Sequence, residues 1–168
     1  MKAKPIALGG VLAALSAAVL LLGGFLPVGT YVAPMLAALP LVVLLRELSA
    51  SLCVGWYAVT ALLSVLLCPD KETAFVFVFL GWYPILRPRL EKLPLPLRLG
   101  LKLLIFNLAI VSLYGLLIFV FQLDALVQEA RQTGRVLLIV MLLLGNLCFL
   151  LFDALLKRLD AFFLRRRR

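Results

Sequence analysis

The run I-A-L-G-G-V-L-A-A-L-S-A-A-V-L-L-L-G-G-F-L, Ile6 to Leu26, decides the class of fold. It carries no charge over about 21 positions, the length a helix needs to cross the roughly 30 Å hydrocarbon layer of a bilayer. Lys2 and Lys4 precede it, as basic residues precede a secretory signal. The run is longer than a usual signal core, however, and further apolar runs follow, so the sequence predicts a retained first helix. Those runs are about Tyr31 to Leu45, Ala50 to Cys68, Thr73 to Leu86, Leu99 to Phe121 and Arg135 to Leu156. Pro27, Gly29 and Pro34 mark the first connection as a turn. Arg46 with Glu47, Pro69 and Pro88 close the next three runs, because a charged pair is poorly tolerated at mid-bilayer depth and proline has no amide hydrogen to continue a helix.

Of the 168 residues, 65% are hydrophobic and 15% charged, against about 45 to 50% and 25% in a soluble domain. Mean hydropathy is +1.16 and is carried by long runs. A soluble core needs a polar shell that this chain cannot supply. The expected architecture is therefore all-α: one domain over residues 1–168, a polytopic integral membrane protein of about six transmembrane helices, with no length left for a soluble catalytic domain. Cys53, Cys68 and Cys148 lie far apart in apolar surroundings and there is no histidine, so neither a disulfide framework nor a metal site is signalled. Also absent are a Gly-rich phosphate loop, H-E-x-x-H and a serine elbow. We expect no cofactor and no catalysis. A small membrane enzyme needs two titratable groups converging within the bundle, and Asp153 alone is a candidate.

Lysine and arginine fix the orientation. Lys2, Lys4, Arg46, Arg87, Arg89, Lys92, Arg98, Lys102, Lys157, Arg158 and Arg165 to Arg168 fall on one side of the six runs, 14 of the 17, leaving Lys71, Arg131 and Arg135 on the other. A miscount by one span would scatter these clusters, so both termini are placed in the cytoplasm. The net charge of +9 follows from this asymmetry. Because the cations flank apolar helices, their expected partner is the lipid headgroup layer and not nucleic acid. The stretch R-P-R-L-E-K-L-P-L-P-L-R, Arg87 to Arg98, is expected to lie along that layer, and Gln122 to Gly134 to form a short external amphipathic helix between Asp124 and Arg131.

Polar residues are few. C-P-D-K-E-T, Cys68 to Thr73, puts Asp70, Lys71 and Glu72 at the external mouth, with Tyr31 as an aromatic neighbour. Asp70 suits a helix cap and Glu72 the first turn, where the helix dipole favours an acid. The same three charges also suit the rim of a ligand pocket. Deeper lie Asn107, Ser112 and Tyr114 in the fifth run, and Asn146 and Asp153 in the sixth; lipid exposure of Asn107, Asn146 and Asp153 is costly, so these three should point inward. Asn107 and Asn146 sit roughly 12 and 16 Å from the cytoplasmic ends of their runs, depths that permit a contact. An interhelical amide clamp explains them without a ligand. Gly81 to Pro84, G-W-Y-P, marks a kink with aromatic residues at the interface.

The first run bears small residues at Ala3, Ala7, Gly10, Ala14, Ala17 and Gly24, with doublets Gly9-Gly10, Ala13-Ala14 and Ala17-Ala18 every four residues. Such a stripe lets another backbone approach closely, either inside the bundle or on a separate membrane protein. With Ala13/Ala17 and Ala14/Ala18 as Ala-x-x-x-Ala pairs, a chain of this length and cytoplasmic termini, the protein resembles the substrate-binding S components of energy-coupling factor (ECF) vitamin transporters. The resemblance implies a bundle in the bacterial plasma membrane, docked through Gly10, Ala13, Ala14, Ala17 and Ala18 on a transmembrane coupling subunit that joins two ATPases. It further implies an external ligand site beneath a lid at Pro27 to Pro34. Tyr31, Asp70, Lys71, Glu72, Asn107, Tyr114 and Asn146 are the candidate ligand-binding residues. The alternative is a structural scaffold of the rod-shape-determining type, which also combines about six short helices with little soluble mass.

Overall fold

The computed structural model describes residues 3–25, 29–119 and 124–165. Eight helices follow one another among them: α1 (Ala3–Gly23), α2 (Gly29–Ala38), α3 (Pro40–Glu47), α4 (Ala50–Leu67), α5 (Lys71–Leu80), α6 (Tyr83–Leu90), α7 (Leu95–Phe119) and α8 (Asp124–Arg165). The chain is all-helical over the described residues. Four stretches there are long and apolar enough to cross a membrane: Ile6–Gly23, Gly29–Glu47, Ala50–Leu67 and Leu95–Ile118.

Local chemistry accounts for the helix boundaries. Pro40 cannot donate to the carbonyl four residues back, so α2 stops at Ala38 and α3 restarts with proline in its first turn, where no donor is needed. Gly81 and Trp82 separate α5 from α6 in the same way, with Pro84 opening the second helix. Ser49 caps α4, accepting from the Leu52 amide at 3.5 Å.

Three expectations change. The chain is helical from Gly29, so the part of Pro27 to Pro34 within the described residues is the start of α2 and not a loop; Pro34 sits inside that helix. Helix α6 passes through Pro88 to Leu90, and α7 begins at Leu95, leaving only a short turn of the expected interfacial stretch. The amphipathic segment and the sixth run merge into α8, 42 residues without a break, or roughly 60 Å at 1.5 Å per residue. No proline follows Pro96, and Gly134 alone does not stop a helix.

Helix α1 packs on α2 and α4, α2 on α5, α5 on α4 and α7, and α7 on α8. The tightest crossing is α1 on α2. A Cβ on Gly23 would lie 2.0 Å from that of Ala33, and one on Gly29 would lie 1.9 Å from the Gly23 carbonyl oxygen. Tyr83, Phe106 and Phe149 form the aromatic centre of the core, with ring centroids 4.7 Å apart for Tyr83 and Phe149 and 5.0 Å for Phe106 and Phe149. The surface inverts the soluble pattern: Val11, Leu22 and Val111 are 67 to 68% exposed, whereas Lys102 is 1% exposed. Apolar residues outside and a buried ammonium inside suit a hydrocarbon surrounding and not water.

Candidate functional site

Polar side chains gather at two ends of the bundle. At the first, α2, α5 and α7 bring Tyr31, Glu72 and Tyr114 together. The Tyr114 hydroxyl donates to Glu72 Oε1 at 2.6 Å, Tyr31 donates to the same oxygen at 3.4 Å, and the two hydroxyls lie 2.5 Å apart. Asp70 and Lys71, expected at the same rim, are engaged with the backbone. Asp70 caps α5, accepting from the amides of Glu72 at 3.0 Å and Thr73 at 3.2 Å and from the Thr73 hydroxyl. The Lys71 ammonium donates to the carbonyls of Val65 at 2.9 Å and Cys68 at 3.1 Å, closing the C-terminal end of α4.

Midway along, Asn107 on α7 and Asn146 on α8 exchange amide hydrogen bonds of 2.9 and 3.2 Å. Each also donates to the carbonyl four residues earlier, Leu103 or Leu142, at 2.8 Å. These two residues are a clamp between helices, with Asn107 about two turns along α7 from Tyr114 and sharing no hydrogen bond with Tyr31, Glu72 or Tyr114 among the described contacts.

At the opposite end, seven charged side chains form one network across α3, α6, α7, α8 and the turn after α6. Lys102 donates to Asp153 at 2.6 Å and to Glu91 at 2.7 Å. Arg87 meets Asp153 at 3.1 Å, Glu91 at 3.8 Å and Asp160. Arg46 meets Asp160 at 3.0 Å, Arg98 meets Glu91 at 2.8 Å, and Tyr83 donates to Asp153 at 2.6 Å. Burial acts to raise the Glu91 carboxyl, but the Lys102 hydrogen bond and the charges of Lys102, Arg98 and Arg87 outweigh it and hold the group below its ordinary value of 4.5. Sequence reasoning assigned these cations to the headgroup layer and singled out Asp153 alone. The overlooked signal was that Glu91, Asp153 and Asp160 fall on the same side of the spans as Arg46, Arg87, Arg98 and Lys102, so opposite charges were available at one depth. No family model, curated protein or solved structure matches the chain.

The small-residue stripe of α1 divides into two faces. Gly9, Ala13 and Ala17 point into the bundle: Ala13 packs with Leu41, Leu44, Cys53 and Trp56, and the Trp56 indole donates to the Gly9 carbonyl at 2.9 Å. Gly10, Ala14 and Ala18 lie on the exposed face. Of the residues expected to dock a partner, Ala13 and Ala17 are covered by the protein's own helices. Among the described residues there is no group of His, Cys, Asp and Glu able to hold a metal ion.

Proposed function

We propose that the protein is the membrane-embedded substrate-binding subunit of an uptake transporter for a small, vitamin-like molecule, energised by a partner ATPase module through a transmembrane coupling subunit, as in the S components it resembles. The observation that carries this reading is the convergence of Tyr31, Glu72 and Tyr114, from three separate helices, on one carboxylate oxygen. Few, convergent polar groups in apolar walls are how a site orients a small ligand. The ion-pair network ties the other end together, which supports binding from one side and a need for a partner to complete transport. We read six crossings, with α2 and α3 forming one broken span and α5 and α6 another, and with both termini in the cytoplasm of a bacterial cell. The distribution of lysine and arginine supports that orientation. In this reading the coupling subunit docks on Gly10, Ala14 and Ala18.

Native mass spectrometry of the gently extracted protein tests it. The wild type should carry a bound small molecule and co-purify with ATPases, and Glu72→Gln or Tyr114→Phe should lose the molecule while staying folded. A structural scaffold is the second reading, favoured by the tight interior: the cavity among Pro34, Met35, Val76, Leu80 and Phe149 measures about 10 Å³, the lower limit for one water. A protein that carries no ligand and co-purifies with cell-wall synthesis proteins overturns the transporter in favour of the scaffold.

A further inference from the structure

Beside the ion-pair network lies a cleft of about 480 Å³ between α3, α6 and α8, within the 300 to 1,000 Å³ range of small-molecule sites. Each helix lines it with an apolar residue followed about one turn later by a charged one: Val42 then Arg46, Pro84 then Arg87, Leu156 then Asp160. Arg46 and Arg87 both pair with Asp160, which holds the three charged positions level. The helices therefore run in the same direction there, and the lining passes from an apolar level at Val42, Pro84 and Leu156 to a level about one turn on that carries the charges, with Leu45 and Pro88 beside them. Two guanidiniums face one carboxylate in the lining, a net charge of +1, and the four cations and three carboxylates whose pairs are described sum to the same value. Exposed cations follow on α6 and α8 at Arg89, Lys157 and Arg158.

We propose that this cleft binds one anionic glycerophospholipid with a hydroxyl-bearing headgroup, of the phosphatidylglycerol type. Its phosphate meets Arg46 and Arg87, which suit phosphate oxygens by geometry as well as charge. A headgroup hydroxyl donates to Asp160, and the first acyl carbons run along Val42, Pro84 and Leu156. The single net negative charge neutralises the lining; a zwitterionic lipid leaves it at +1, and a soluble phosphate leaves the apolar wall uncovered. Basic pockets between membrane helices are known sites for anionic headgroups. The site lies at the other end of the bundle from Glu72 and stands independently of the proposed substrate.

The test is lipid retention by native mass spectrometry from a non-ionic detergent, with phosphatidylglycerol, phosphatidylethanolamine and phosphatidylcholine of matched chains. The wild type should retain phosphatidylglycerol about tenfold over the other two, and Arg46→Gln should remove that preference. Pro88→Trp, at an exposed position lining the same cleft, should remove it too with every charge in place. Arg89→Gln, a cation outside the cleft, should keep it. Soluble glycerol phosphate should not compete. Equal retention of the three lipids by the wild type overturns the proposal, as does a preference that survives Pro88→Trp or falls equally in Arg89→Gln, which would mark attraction to the basic surface as a whole. Competition by glycerol phosphate overturns the lipid as occupant. If Arg46→Gln fails to fold, Pro88→Trp decides alone.

Discussion

Burying the Lys102 ammonium carries a desolvation cost that Glu91 and Asp153 offset only while both carboxylates are in place. Lys102→Met removes the shared cation and leaves two carboxylates facing each other's charge in a site the side chain fills to 2% exposure. The expected loss is about 3 to 5 kcal/mol, read as a large drop in melting temperature in detergent; Lys157→Met, at an exposed position, should stay within about 0.5 kcal/mol. Equal effects of the two changes would mean that the network contributes nothing. Glu91 adds a pH dependence. Its folded value lies below the ordinary 4.5, so its contribution is complete above that pH and is lost as pH falls through the depressed folded value. Melting temperature should therefore fall on acidification below about pH 4.5, and Glu91→Gln should flatten that fall. At this scale the sequence was legible where partners are close along the chain or comparable in depth: the Asp70 cap follows from its place before Lys71 to Thr73, and the Asn107 and Asn146 contact from depths of roughly 12 and 16 Å that permit it. The pairing of Lys102 with Asp153 was not, because it joins residues 51 apart whose helix faces only the packed bundle defines.

Helix α1 presents two small-residue faces that differ in what they touch, and substitutions separate them. Gly23→Ala places a methyl group 2.0 Å from the Ala33 Cβ, while Gly10→Ala meets nothing within 4 Å. The first should lower the melting temperature by the equivalent of about 1 to 3 kcal/mol of overpacking, and the second should leave it unchanged. Ala17→Trp should behave like Gly23→Ala, because Ala17 is buried against the protein's own helices. Ala14→Trp, on the exposed face, should leave the isolated protein as stable as the wild type and release any partner docked there. A loss of stability in Ala14→Trp would place that face inside the protein's own packing. The small spacing was visible in the sequence, yet doublets such as Ala13-Ala14 carry two faces at once, and spacing alone does not tell which is covered. The break near Pro84 was legible in G-W-Y-P, whereas the one at Pro40 lay inside a run read as continuous from Tyr31 to Leu45, and α8 exceeded expectation because charge without proline marks a membrane boundary and not a helix end.

Over the whole molecule, the folded bundle uses the charges that set its orientation in two different ways. Arg46, Arg87, Arg98 and Lys102 are absorbed by carboxylates in the network, while Arg89, Lys92, Lys157 and Arg158 stay exposed at the same end. The exposed group faces the headgroup layer at large, and all four of its members lie on the side read as cytoplasmic, opposite Lys71. Cysteine labelling in a background lacking Cys53, Cys68 and Cys148 tests this directly. A membrane-impermeant thiol reagent applied to intact cells should label Lys71→Cys and fail on Lys92→Cys and Arg158→Cys until the membrane is opened. Both internal sites matter, since Lys92 precedes α7 and Arg158 lies on α8: if α5 and α6 failed to act together as one span, Lys92 and Lys71 would share a side and both would label. Labelling of Arg158→Cys with Lys92→Cys protected would instead contradict the network, because Asp153 and Asp160 on α8 pair with the same Arg87 that precedes Lys92. Orientation and the ion pairs therefore stand or fall on the same pattern of labelling.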